Sequence, residues 1–130
     1  MSANGSLSGT AGEEDRGPVF LHEPPSRLHF SNTTGALLPC SAHGNPPPQV
    51  EWLNGGDVVT EVSDVCIVHK NGSLQFLPFP PYAYTAGVHA ATYSCRASSS
   101  AGTIISRPVH VRAARNPYLS TVKDTGTTAV

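Results

Sequence analysis

One tryptophan, one tyrosine and two cysteines, in a particular order, constrain the fold of this chain more than any other feature. Tyr93 precedes Cys95 by two positions, and Trp52 follows Cys40 by twelve. Small or apolar residues recur at alternate positions around each of them, and successive side chains of a strand point to opposite faces. The alternation therefore predicts strands with one buried face. The inward-facing sets are Ala36, Leu38, Cys40 and Ala42; Val50 and Trp52; and Tyr93, Cys95 and Ala97.

This order is typical of the immunoglobulin fold, in which a disulfide joins two sheets and a tryptophan packs against it. The tyrosine hydrogen-bonds back to the preceding corner. We therefore predict an all-β, immunoglobulin-like sandwich of the I-set type, with one inter-sheet disulfide between Cys40 and Cys95. Trp52 and Tyr93 are its core signature. Closing a loop of about 56 residues contributes about 4 kcal/mol in the chain-entropy model, so we expect loss of either cysteine to cripple folding.

Size and composition allow one small domain with tails. The chain has 130 residues, and its 12 prolines and 12 glycines favour short strands and turns over helices. We predict a disordered N-terminal segment over residues 1–16, the immunoglobulin-like domain over 17–114, and a linker or unstructured tail over 115–130. The formal net charge of -1 gives no long-range field for nucleic acid or an anionic membrane. Neither is expected as a partner of this chain.

Turn-forming residues divide the domain into short candidate strands. A proline pair at 24–25 should break the first strand, because proline lacks the ladder donor. Asn-Gly-Gly-Asp at 54–57 is a hairpin signal. In the last strand, Ile105, Val109 and Val111 share a parity that Arg107 and Pro108 interrupt, and a bulge there would explain the break. The candidate strands are 18–21, 27–30, 35–42, 49–53, 58–62, 65–69, 73–77, 91–98 and 103–112.

The connection over residues 78–84 is long and aromatic. We expect its rings to cap the base of the sandwich, and the alternative is a contact surface for a neighbouring domain. Six residues before Cys95, His89 stands where immunoglobulin strands often carry an aspartate. The ion pair made by that aspartate is therefore not expected.

Several runs of sequence carry a more specific likeness. They are Gly17-Pro18-Val19-Phe20-Leu21-His22-Glu23-Pro24-Pro25; Phe30-Ser31-Asn32-Thr33-Thr34-Gly35-Ala36; Val88-His89-Ala90-Ala91-Thr92-Tyr93-Ser94-Cys95; and Ile105-Ser106-Arg107 with Val109-His110-Val111-Arg112-Ala113. Through these runs, residues 17–114 resemble the first immunoglobulin domain of the arthropod Down syndrome cell adhesion molecules, the Dscam family.

Members of this family are large cell-surface receptors of immunoglobulin and fibronectin type III domains. Their homophilic recognition serves neuronal self-avoidance, and in arthropods they also have roles in immunity. The resemblance implies an extracellular glycoprotein module of a homophilic cell-adhesion receptor in axon guidance and neurogenesis. Its first domain belongs to an N-terminal horseshoe of four domains. The implied partners are sister immunoglobulin domains of the same chain and a homophilic partner chain, with membrane attachment only through parts outside this sequence.

Two other functions stay open at this stage. One is a stand-alone secreted immunoglobulin-domain protein that binds foreign or microbial surfaces in immunity. The other is an intracellular module of the muscle type, which the paired cysteines and the glycosylation motifs argue against. We expect this sequence to be a fragment of a longer secreted or membrane-anchored protein, because the residues before Gly17 include no apolar run.

Cys66 is a third cysteine that the fold does not require. If Asn71 and Gly72 form a two-residue turn, Cys66 points outward as a candidate free thiol. A five-residue turn pairs Val68 with Leu74 and buries Cys66 instead. We favour burial, as a small and inert hydrophobic residue.

The sequence offers no pattern for catalysis or cofactor binding. Its six histidines lack the spacing of a zinc motif. Nucleophile elbows, phosphate loops and calcium loops are also missing from it. We therefore expect no catalytic residue, no metal, no cofactor and no small-molecule substrate, and we predict that the protein is not an enzyme.

Asn-x-Ser/Thr motifs occur at Asn4, Asn32 and Asn71. In a secreted protein such motifs mark exposed loops that can carry glycans. Asn32 and Asn71 are the candidate glycosylation sites. Asn32 is preferred, because we place it in an exposed turn between the second and third strands.

Overall fold

Short strands dominate the part of the chain that the computed structural model describes, residues 14–62 and 65–115. The strands there are β1 (Arg16–His22), β2 (Arg27–Ser31), β3 (Ala36–Leu38), β4 (Ser41–Asn45), β5 (Gln49–Asn54), β6 (Asp57–Val58), β7 (Cys66–Val68), β8 (Leu74–Phe76), β9 (Thr92–Ser99), β10 (Gly102–Ile105) and β11 (Val109–Ala114). A 3-10 turn spans Pro81–Ala83, and a single helical turn, α1, spans Ala86–His89.

The strands form the two layers of a sandwich. The largest sheet has the order β2-β11-β9-β5-β6, with β10 also paired to β9, while β3, β8 and β7 form a separate sheet. β1 pairs with β4. The named ladders are antiparallel except β2 with β11, which runs parallel. The prediction of an all-β immunoglobulin-like sandwich is confirmed.

The strand predicted over residues 35–42 is divided at Pro39 and Cys40. Its first part, β3, pairs with β8, whereas its second part, β4, pairs with β1. Proline cannot donate to a strand ladder, so regular pairing is interrupted there. The chain therefore changes its partner strand at the disulfide cysteine.

A bulge separates β10 from β11. Ile105 pairs with Arg96 of β9, and Val109 pairs with Tyr93 of β9. From Ile105 to Val109 the chain advances by four positions, whereas β9 advances by only three between the partners, so one residue is extra. The extra residue reverses the faces that the side chains take. Val109 is fully buried, whereas Ile105 is 57% exposed. The predicted bulge is confirmed, and because of it Ile105 and Val109, which share a parity in the sequence, lie on opposite faces.

β7 and β8 are joined by a five-residue turn. Val68 pairs with Leu74 and Cys66 pairs with Phe76. In this register Cys66 is only 6% exposed. The favoured alternative, a buried Cys66, is confirmed.

The strand predicted over residues 58–62 is shorter in the structure. β6 pairs with the end of β5 after a turn in which Gly55 and Gly56 have positive φ, as the hairpin signal predicts. Beyond β6, Val62 forms only an isolated bridge with Cys66. The strand prediction is therefore wrong for residues 59–62.

The core surrounds the disulfide. The Phe76 ring lies 5.5 Å from the Phe30 ring and meets the Tyr93 ring edge-on at 5.4 Å. Such aromatic pairs contribute about 0.5–1.5 kcal/mol beyond their buried area. The buried cluster comprises Leu38, Cys40, Trp52, Cys66, Leu74, Phe76, Tyr93, Cys95, Val109 and Val111.

Candidate interaction surface at the base of the domain

The signature residues meet in the core, as predicted from sequence. Cys40 and Cys95 form a disulfide with Cα atoms 6.6 Å apart. Trp52 lies opposite Cys95 in the β5–β9 register and is fully buried. Its indole Nε1 donates a hydrogen bond to the carbonyl oxygen of Gly72 at 2.7 Å. The disulfide between the sheets is confirmed, and the polar atom of the tryptophan is satisfied.

Tyr93 links the start of β9 to the preceding corner. Its hydroxyl donates a hydrogen bond to the carbonyl oxygen of Val88, in α1, at 2.8 Å. The side chain is 2% exposed, and burial raises its pKa above the ordinary value. This is the corner hydrogen bond that the immunoglobulin pattern predicts.

His89 has a packing role rather than a charged one. Its Nδ1 accepts a hydrogen bond from the backbone N–H of Thr85 at 3.0 Å. Its ring stacks on Phe79 with 3.9 Å between centroids, and the residue is 3% exposed. Burial lowers the pKa of His89. The geometry thus requires an unprotonated Nδ1, and the imidazole fills the place of the usual carboxylate without forming an ion pair.

Further aromatic residues gather beside His89, where β11 ends. Tyr84 lies 6.5 Å from Phe79 and 5.7 Å from His89, measured between ring centroids. The guanidinium of Arg115 lies 4.6 Å from the centre of the Tyr84 ring. We call Phe79, Tyr82, Tyr84, His89 and Arg115 the basal surface.

Two members of the basal surface behave differently. Phe79 is 7% exposed, so it caps the base of the sandwich as expected. Tyr82, in the 3-10 turn, is 90% exposed. An aromatic ring in this position contributes little to the domain's own core but suits a contact with another protein surface. The sequence could locate these rings, but it could not show which of them is exposed.

Asn32 is not the exposed glycan acceptor that we expected from sequence. The residue is 1% exposed, and its Nδ2 donates a hydrogen bond to the carbonyl oxygen of Phe79 at 2.8 Å. The backbone carbonyl oxygen of Asn32 accepts a hydrogen bond from the backbone N–H of Phe79 at 2.9 Å. A glycan on Nδ2 would displace this buried contact. The signal was present in the sequence, because Leu28, Phe30 and Asn32 share one strand parity.

Asn71 and Cys66 lie at opposite extremes of exposure. Asn71 is exposed, and its Oδ1 accepts a hydrogen bond from the N–H of Ser73 at 2.9 Å. Cys66 forms no disulfide among the described residues, and burial raises the pKa of its thiol. Asn71 therefore stays a candidate for glycosylation, whereas Cys66 is poorly placed for reaction. The Asn4 motif lies outside the described residues.

The described residues contain neither a metal-type cluster nor a long apolar helix. Nowhere in 14–62 or 65–115 do three or more His, Cys, Asp or Glu side chains group so as to hold a metal ion. Within the same ranges, the helices are too short and too polar to cross a membrane.

Sequence comparisons place this domain beside adhesion molecules. A family model for the immunoglobulin I-set domain matches residues 18–107. The cell adhesion molecule Dscam2 of Drosophila melanogaster is 50% identical over 99 residues, covering 75% of this chain and 5% of that protein. Dscam1 of the same organism is 44% identical over 106 residues, covering 81% of this chain and 5% of that protein. Human DSCAM is 39% identical over 107 residues, covering 81% of this chain and 5% of that protein.

Solved structures give the same result. The crystal structure of Dscam1 isoform 4.44, N-terminal four Ig domains, has 46% identity and a TM-score of 0.75, over 76% of this chain and 26% of that one. The structure of the N-terminal eight Ig domains of isoform 1.30.30 has 46% identity and a TM-score of 0.73, and the match covers 76% of this chain and 13% of that one. The likeness to the Dscam molecules noted from sequence is therefore confirmed. This chain spans only 5% of the length of the adhesion molecules compared above.

Proposed function

The chain belongs to the immunoglobulin I-set family, and from this premise we propose that it is an extracellular module of a Dscam-like homophilic cell-adhesion receptor. The observation that carries the proposal is the 50% identity to Dscam2, which extends over 99 residues. Because a likeness of fold alone does not imply function, the proposal depends on this sequence identity. We assign the module to the first domain of such a receptor, over residues 17–114.

The disulfide supports an extracellular location. Disulfides form and persist in oxidising compartments, and intracellular thiols are kept reduced. Cys40 and Cys95 are buried at 2% and 0% exposure, so their bond belongs to the folded core rather than to a surface switch. The proposal includes no catalysis and no cofactor.

The basal surface supports a role beside other domains. Arg115, at the end of the described chain, lies against Tyr84, and Tyr82 stands exposed in the same connection. In a receptor of several domains, the next domain would follow from this end. We assign Tyr82 to the contact with that sister domain, which would position the module for homophilic recognition.

A domain exchange tests the proposal. Residues 17–115 would replace the matching domain of Drosophila Dscam2, and cells displaying the chimera would be assayed for aggregation with their own kind. We expect aggregation close to that of unaltered Dscam2. A chimera that reaches the surface but does not aggregate the cells would contradict the proposal.

The same chimera tests the basal surface. Tyr82→Ser should weaken aggregation, because it removes the exposed ring from the domain junction. Leu37→Ser is the matched control, since Leu37 is a 52% exposed apolar residue of β3. Equal aggregation of the two variants would show that Tyr82 is not part of the interface.

Full-length transcripts separate this function from the alternative of a stand-alone secreted immune protein. A reading frame that continues into further immunoglobulin domains supports the receptor. A frame that stops soon after Val130, behind an upstream secretion signal, would instead support the secreted protein.

A further inference from the structure

The parallel pair β2–β11 carries basic side chains on its solvent face. Arg27 lies opposite His110, and His29 lies opposite Arg112. Their side chains are exposed, while the alternate residues of β11 are buried. These two pairs line one open trough of about 500 Å³ together with Thr92, whose Oγ1 lies 3.3 Å from Nδ1 of His110. Among the described residues, no carboxylate lines this trough.

The trough continues along the strands. A second depression, of about 420 Å³, shares His29 and Arg112 with the first and reaches Tyr84. The guanidinium of Arg115 lies 4.6 Å from the centre of the Tyr84 ring. Arg27, His29, His110, Arg112 and Arg115 thus form what we call the basic track. Arg115 lies one residue beyond β11 and five positions after His110, which at about 3.3 Å per residue gives a length of about 16 Å.

The arginines of the track differ from Arg96 and Arg107, which form ion pairs. Arg96 pairs with Glu51 at 2.6 Å, and Arg107 pairs with Glu23 at 3.1 Å. Arg27, Arg112 and Arg115 have no such carboxylate partner within residues 14–62 and 65–115. Basic groups placed side by side on neighbouring strands do not favour folding. Their arrangement is therefore better explained by an external anion than by stability.

The shape of the track selects the kind of anion. The trough is open and adjoins a second depression, so a single small anion would stay solvated and weakly held. A chain with anionic groups at regular intervals can contact several of these side chains at once. Arginine suits this role because its planar guanidinium donates paired hydrogen bonds to oxyanions.

We propose that the basic track binds a sulfated polysaccharide of the cell surface or extracellular matrix. The choice among polyanions uses the extracellular location proposed above, where repeating sulfate groups are available. Single-stranded nucleic acid would require aromatic side chains free to stack with bases, and Tyr84 is already covered by Arg115. The track shares Arg115 with the basal surface but does not include Tyr82.

Heparin affinity tests the proposal with the whole 130-residue chain. We expect the unaltered protein to bind immobilised heparin at about 0.15 M salt. The double variant R27Q/R112Q should bind roughly tenfold more weakly and show a smaller dependence on salt, because cationic contacts that release counterions are lost. The control R16Q/K70Q removes the same charge from exposed positions outside the track and should bind like the unaltered protein. Thermal unfolding would confirm that both variants are folded.

Three results would overturn the proposal. The first is failure of the unaltered protein to bind heparin at that salt concentration. The second is an equal loss of affinity in both double variants, which would indicate attraction by charge alone. Binding to polyglutamate as tight as to heparin would assign the track to an acidic protein. Failure of the heparin experiment leaves the adhesion proposal intact, since cell aggregation by the Dscam2 chimera is measured independently.

Discussion

At the scale of single residues, His89 shows how a buried ring replaces an ion pair. Its Nδ1 accepts from Thr85, and its ring stacks on Phe79. Both contacts are available to a neutral imidazole, whereas a proton on Nδ1 would remove the first of them. The base of this domain is therefore sensitive to acid in a way that a carboxylate-based corner is not.

The stability of the domain should decrease at acid pH because of His89. Burial lowers its folded-state pKa below the ordinary value of 6.5, so the unfolded chain binds more protons at acid pH. The free energy of unfolding is fully retained above about pH 6.5 and falls as the pH decreases through the lowered pKa. In the His89→Gln variant, the decrease in the free energy of unfolding between about pH 7.5 and pH 5.5 should be smaller by on the order of 1 kcal/mol. Urea unfolding at the two pH values measures this difference. Equal decreases of stability in the unaltered protein and in His89→Gln would refute the prediction.

Gly72 and Gly56 allow a matched test of close packing. Both have φ of 98°. A Cβ at Gly72 would collide with the carbonyl oxygen of Cys40, whereas a Cβ at Gly56 meets nothing within 4 Å. Gly72→Ala should therefore destabilise the domain by about 1–2 kcal/mol more than Gly56→Ala. Thermal or urea unfolding of the two variants measures this difference. Similar losses of stability would show that the turn at Gly72 moves aside easily.

Exposure decides which glycosylation motif can be used. We expect the secreted protein to carry a glycan at Asn71 and none at Asn32. Asn71→Gln should therefore remove the mass of one glycan from the secreted protein, whereas Thr34→Ala, which destroys the other motif while retaining Asn32, should change the mass only by the substitution itself. Intact-protein mass spectrometry reads both. Loss of glycan mass in Thr34→Ala would show that Asn32 is modified and that its buried contact is dispensable.

At the scale of elements, Asn32 connects segments that are distant in sequence. Its side chain and backbone both bond to Phe79, and its N–H donates to the carbonyl of Ala114, at the end of β11, at 2.9 Å. Asn32→Ala leaves the buried carbonyl of Phe79 without this donor, which should cost about 1–3 kcal/mol. Asn71→Ala, at an exposed position, is the control. Unfolding of the two variants at equal denaturant concentration would contradict the assignment.

Local patterns predicted most strands, but not the relations between them. Alternation around Cys40, Trp52 and Cys95 suffices because each strand has one face in the core. Alternation alone could not predict the exposure of Ile105, because one bulge residue reverses the faces on its two sides. The basic track was also hidden, since its members come from segments about 80 residues apart and meet only through the β2–β11 pairing.

At the scale of the whole molecule, the disulfide closes the largest loop of the domain. Cys40 and Cys95 are 55 positions apart. Replacing both by alanine should lower the free energy of unfolding by about 4 kcal/mol, because the unfolded chain regains the conformations that the loop excluded. Denaturant unfolding of the double variant checks this. An unchanged midpoint would show that the packed core alone fixes the sandwich.

The parallel pairing of β2 with β11 affects how the domain resists mechanical force. β2 lies near the N-terminal side of the domain and β11 at its C-terminal side, and they run in the same direction over residues 27–31 and 110–114. Once β1 has separated from β4, a pull on the two ends slides these strands along each other, so that their hydrogen bonds are loaded together rather than opened one after another. Once they yield, the bond between Cys40 and Cys95 still limits extension to the chain outside the loop. If the domain belongs to an adhesion receptor as proposed, tension on it would thus be resisted by shear of this pair and then by a covalent stop.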